Sequence, residues 1–217
     1  MHLLDELREE HARIDRVLGA LRTYVARRAR GEELARDGGR FLRFLRLYAD
    51  RFHHGREEKI LFPALVEHLE VSASRGPIAA LLEDHDALRG KLASLAEHLD
   101  ADLDDASAKR LEALATEYAR ALWLHIDAEN SVLFVEAEER LPRAGVRELP
   151  TRAPDEEEAR ARDDADALIE RWPPSDDRGI VRGAGCVACP NFGVRCNGVE
   201  HEWWSEAEWD ELPDRIG

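Results

Sequence analysis

Residues 53–62 read HHGREEKILF, and residues 125–134 read HIDAENSVLF. Setting the two Leu-Phe pairs in register places His53 opposite His125 and Glu57 opposite Glu129. Within each copy the histidine and the glutamate are four residues apart, so on a helix they project from one face, a turn from each other. A second echo lies upstream of each copy: LREEHARI at 7–14 and LEDHDAL at 82–88, with His11 answering His85. The chain therefore repeats one unit of two histidine-bearing segments.

Around these motifs the apolar residues recur every three or four positions, which is the helical period. Leu4, Leu7, Ile14, Leu18, Leu21 and Val25 trace a first helix to about Gly31. Phe41, Leu45, Ala49, Phe52, Ile60 and Leu61 trace a second, with Pro63 expected to kink it before it resumes through Leu65 to Leu69. Gly76 and Pro77 open a third along Ile78, Leu81, Leu82, Leu88, Leu92, Leu95 and Leu99. After a connection at 100–105, Leu111, Leu114, Tyr118, Leu122, Val132 and Leu133 trace a fourth, expected to stop near Leu141 because Pro142 cannot continue it. Four long helices with short links predict an all-α, up-down-up-down four-helix bundle over residues 1–141.

Beyond it the character changes. Residues 142–185 form a charged helix and acidic linker, charged on nearly every face, and residues 186–217 a small tail rich in cysteine and tryptophan. The 217 residues carry a formal net charge of -15, a field that repels phosphate backbones and anionic lipid, so neither nucleic acid nor membrane is an expected partner. The charged N-terminal turns lead to the expectation of no signal peptide, and no run of eighteen apolar residues is present. The three cysteines all fall between 186 and 196, an odd number that suits a reducing, cytoplasmic location.

His11 and His85 lie in line with their own leucine stripes and so point into the core, where polar groups need partners. Four imidazoles and two carboxylates converging there are tolerable around a pair of cations. Imidazole suits iron, zinc or copper, and carboxylates bridge two harder ions, so the set favours two irons held as half-sites of the repeat. Di-iron carboxylate bundles commonly place glutamate before histidine at three-residue spacing. Here histidine comes first, at four, which points to another family.

At these residues the chain resembles the hemerythrin-like (HHE cation-binding) family over about Leu3 to Leu141. The resemblance implies two iron ions with an oxo or hydroxo bridge, His11 and His53 on one, His85 and His125 on the other, and Glu57 and Glu129 bridging. Oxygen-carrying members have a further histidine on the third helix that makes the irons unequal, whereas Leu81 and Arg89 stand a turn either side of His85 here. The expectation is a four-histidine site with a small gaseous or peroxide ligand (O2, peroxide or NO), acting in oxidative or nitrosative stress response or sensing. The alternatives are an interaction protein whose bundle responds to iron or oxygen while its cysteine and tryptophan tail engages a partner, and iron storage or delivery.

His54 and Glu58 form a rival pair, but a turn of about 100° from His53, and Ile126 at the matching position, place His54 at the rim. Glu10 and Asp84 are read as solvated, or as carboxylates accepting an imidazole N–H. In the tail, Cys186, Cys189, Cys196 and His201 could close a tetrahedral zinc site. The alternative is a reduced thiol cluster, with Trp203, Trp204 and Trp209 docking on the bundle or engaging a protein partner.

Overall fold

The computed structural model describes residues 1–180 apart from positions 33 and 35, and every regular element among them is helical. Helix α1 is His2–Ala29. Helix α2 covers 38–69 in consecutive segments: α-helical Gly38–Arg43, π-helical Phe44–His54 and Glu57–Leu61, then α-helical Phe62–Leu69. Helix α3 is Gly76–Ala96. Helix α4 covers 105–143, with a π-helical segment Glu129–Leu133 between Asp105–Ala128 and Phe134–Arg143. Helix α5 is Glu156–Arg171. No helix among the described residues is long and apolar enough to cross a membrane.

The termini follow local chemistry. Asp104 caps α4 by accepting from the Ser107 N–H at 2.8 Å while the Ser107 hydroxyl accepts from the Asp104 N–H. Asp155 and Glu158 form the equivalent box at the start of α5. Pro142 does not end α4, which runs on to Arg143 because a proline disturbs the turn behind it and not the one ahead. The stop comes from Gly145, whose φ of 90° lets the Val146 N–H reach the Leu141 carbonyl at 2.9 Å. Pro63 is absorbed similarly, directly after a π turn in which the Phe62 N–H reaches back five residues to Glu57.

Buried apolar side chains fall into two clusters. One gathers Leu3, Leu4, Leu7, Leu61, Leu65, Ile78, Leu81, Leu133 and Leu141. The other gathers Ile14, Leu18, Leu21, Phe41, Phe44, Leu92, Leu111, Leu122 and Trp123. Between them, each long helix carries a polar interruption: His11 on α1, His53 to Glu57 on α2, His85 on α3, and His125 to Glu129 on α4. A polar layer thus divides the apolar interior.

Helix α5 is more than a charged surface element. Its Ala161, Ala165, Leu168 and Ile169, followed by Trp172, are buried in the second cluster, against α1 and α2. Trp172 donates from Nε1 to Asp37 Oδ2 at 3.0 Å and meets the Tyr24 ring edge-on. The following segment crosses α1 at Gly19, where a Cβ would stand 2.8 Å from Pro174 Cβ, and the Ser175 N–H donates to the Gly19 carbonyl at 3.1 Å. The outer face is laced by ion pairs from Arg40 and Arg43 to Asp164 and from Arg51 to Asp155, Glu157 and Glu158.

Candidate metal centre

The polar layer brings together all six bundle residues singled out in the sequence. His53, Glu57, His85 and Glu129 have no solvent exposure, and His11 and His125 next to none. His11 Nε2 lies 3.2 Å from Glu129 Oε2 and 3.8 Å from Glu57 Oε1. His53 Nε2 lies 3.4 Å from Glu57 Oε1, His85 Nε2 3.6 Å from Glu57 Oε2, and His125 Nε2 3.2 Å from Glu129 Oε2. Two overlapping groups of potential ligand atoms result, each within 4.8 Å: His11, His53, Glu57 and Glu129, and His54, Glu57, His85 and His125.

The test of fit is what these atoms do without a cation. His11 Nε2, His53 Nε2 and all four oxygens of Glu57 and Glu129 are buried with no hydrogen-bond partner. Each such group costs about 1–3 kcal/mol, so together they rival the whole folding stability of a domain, about 5–15 kcal/mol. Donors about 2.0–2.1 Å from a shared ion at right angles are spaced by about 3 Å, close to the shortest separations here. Imidazole nitrogen with carboxylate oxygen suits first-row transition-metal ions.

Each ring's other nitrogen faces an outer partner. His53 Nδ1 is 2.9 Å from Glu10 Oε2, and His85 Nδ1 is 2.8 Å from Glu58 Oε1. His11 Nδ1 is 3.0 Å from Asn130 Oδ1, and His125 Nδ1 is 3.5 Å from Asp84 Oδ2. Such partners fix the tautomer and aim Nε2 inward. Arg56 anchors Glu10 at 2.6 Å and Arg89 anchors Glu58 at 2.6 Å. Phe134 stacks on His11 and Phe62 on His85, closing the layer from the first apolar cluster.

The electrostatics are those of a site short of positive charge. Burial, reinforced by Glu129 and Glu10, lifts the Glu57 carboxyl well above the usual range. Burial also raises Glu129, but His125 and His11 outweigh it and hold that group ionised. His125 is pushed up to about 9 because Glu129 and Asp84 outweigh its burial. Burial and the neighbouring His11 and His54 depress His53. Protons thus stand where cations would, and metal binding would release them.

The π-helical segments explain what helical periodicity missed. Both Glu57–Leu61 and Glu129–Leu133 begin at the glutamate, in the same register of the two repeats. π turns cluster at functional sites, and nothing in residue spacing announces them. His54 is displaced from its expected rim position for the same reason. It ends the π-helical stretch Phe44–His54, whose wider turn rotates successive side chains by less than the α-helical 100° or so. His53 and His54 therefore both face inward, and the His54 ring stacks on His85 with centroids 3.9 Å apart. Glu10, 6% exposed, is a buried imidazole partner and not a solvated residue.

Cys186, Cys189, Cys196 and His201, with Trp203, Trp204 and Trp209, lie outside the described residues. No curated protein matches the sequence. A profile for the Hemerythrin HHE cation binding domain matches residues 2–137, a span holding every member of the polar layer, and the chain belongs to that family.

Proposed function

We propose that the four long helices form an up-down-up-down bundle of hemerythrin type holding two iron ions. His11 and His53 bind one, His85 and His125 the other, and Glu57 and Glu129 are shared. The observation that carries this reading is the convergence of buried, unpartnered imidazole nitrogens and carboxylate oxygens within 4.8 Å in two groups that share Glu57. When bound, the two irons supply electrons and an open coordination position for a small oxidant such as O2, peroxide or NO, in stress response or sensing.

The chain's own part is to orient and exclude. Glu10, Glu58, Asn130 and Asp84 hold the imidazoles with Nε2 inward. The apolar clusters on either side keep bulk water from the layer. Metal analysis of the full-length protein, joined to absorption spectra before and after azide, tests the reading. The expected result is two irons per chain and a charge-transfer band that azide shifts; zinc or no metal in the bundle would overturn it.

A further inference from the structure

We infer that the groove between α1 and α4 beside Ser175 is the docking surface for this chain's own segment 202–211, EWWSEAEWDE, with tryptophan on the groove's apolar floor and the flanking carboxylates on its arginines. The inference is independent of the iron reading: the groove borders the second apolar cluster and contains no residue of the polar layer.

The groove has the chemistry of a receptor. Its volume is about 340 Å³, inside the range of about 300–1,000 Å³ usual for binding pockets. The floor is made by the small side chains Val25, Ala26 and Ala115, and Arg22, Arg27 and Arg30 stand along it against the single carboxylate of Glu112. A guanidinium carries five N–H donors and no acceptor. Arg27 and Arg30 share one carboxylate, Glu32, and Arg22 Nη1 is buried without a hydrogen-bond partner, Asp177 Oδ2 being 3.9 Å away. A basic groove short of acceptors is unusual in a chain of net charge -15. Two of the same arginines already pair with indoles, Arg22 over Trp123 and Arg27 over Trp172, each at 5.4 Å.

The segment 202–211 lies outside the described residues, and its sequence is the complement of the groove. It holds three tryptophans and five carboxylates with no lysine or arginine, and every tryptophan stands next to an acidic residue or to a tryptophan that does. The described chain ends close by. Ser175 lines the groove, and Asp177 accepts from Arg120 on α4 at 2.8 Å. Glu202 is 22 positions beyond Ile180. At up to about 3.3–3.6 Å per residue, that length outreaches all of α1, 28 residues long and rising about 1.5 Å per residue. Tethering gives the segment an effective concentration on the order of millimolar, so contacts too weak to hold a free peptide suffice. Docking closes residues 181–201, with Cys186, Cys189 and Cys196, into a loop fastened at both ends to the bundle.

The test uses acrylamide quenching of tryptophan fluorescence in the full chain. Trp123 and Trp172 are buried, so quenching reports on Trp203, Trp204 and Trp209. The wild type should protect them, and should lose that protection in about 1 M salt, where charges are screened beyond about 3 Å. Ala26→Glu, which fills the floor with a negative charge, and Arg30→Glu, at a position 61% exposed, should each lose it in low salt. Wild-type quenching equal to that of the urea-unfolded chain would overturn the assignment, as would protection unchanged in both variants. Protection that fades on dilution, together with a dimer in sedimentation, would make a second copy the occupant and overturn docking within one chain. If Ala26→Glu does not fold, Arg30→Glu and the salt dependence decide.

Discussion

The two repeats of the polar layer match further out than their sequence motif and then part. Glu10, one residue before His11, serves His53 on the next helix, and Asp84, one residue before His85, serves His125 in the same way. Glu58 and Asn130, each one residue after its motif's glutamate, reach His85 and His11. Even the phenylalanines exchange, Phe62 over His85 and Phe134 over His11. The differences lie in what surrounds this frame. Glu10 is locked by Arg56, whereas Asp84 is 57% exposed and its contact is longer. Helix α5 covers α1 and α2, and among the described residues α3 and α4 have no equivalent cover. A duplicated scaffold can fix where ligands stand while the surroundings set how firmly each half is held.

The strongest way to break the comparison is at the ligands themselves. His53→Ala and His125→Ala should each lose most of the bound iron, read by metal analysis, and retention in both would refute the pairing of the two motifs. Trp172→Ala tests the cover on one half: loss of a buried tryptophan should destabilise by about 3–5 kcal/mol. Hydrogen exchange should then accelerate in α1 and α2 more than in α3 and α4; equal acceleration would mean that α5 braces the whole layer.

The outer partners offer a finer contrast. Glu10→Gln should weaken iron binding about 10–100-fold in chelator competition, the usual scale for such a partner. Asp84→Asn, at an exposed and longer contact, should change it far less. The smallest effect is on pH. Arg152 and Arg51 hold Glu158 at about 2, outweighing its burial. A depressed carboxyl stabilises the fold above its unfolded value near 4.5, and that contribution disappears as pH falls toward 2. Solvent around the partly exposed arginines limits it to roughly 1 kcal/mol. Glu158→Gln should therefore lower thermal stability at pH 6, and the gap from wild type should close at pH 2.

The helices and the six central residues are legible because an interior histidine breaks a leucine stripe without breaking its period. His54 is hidden because the α-helical angle of about 100° per residue does not hold through a stretch that is π-helical. The packing of α5 is hidden for another reason. Ala161, Ala165, Leu168, Ile169 and Trp172 do keep a helical spacing, but two alanines among so many charges give a faint hydropathy signal. Asn130 carries no signal at all, since an amide after a glutamate reads as an ordinary surface residue.

The anchoring of Trp172 in the pocket made by Tyr24 and Asp37 governs how this protein can be dissected. A fragment ending at Leu141, where the four-helix pattern stops, would strip a lid from Tyr24, Phe41 and Phe44 and present their rings to water. Its aggregation or loss of iron would say nothing about the cysteines. A cut placed after Ile180 keeps Trp172 in its pocket, so that shortened protein can report what the last 37 residues contribute.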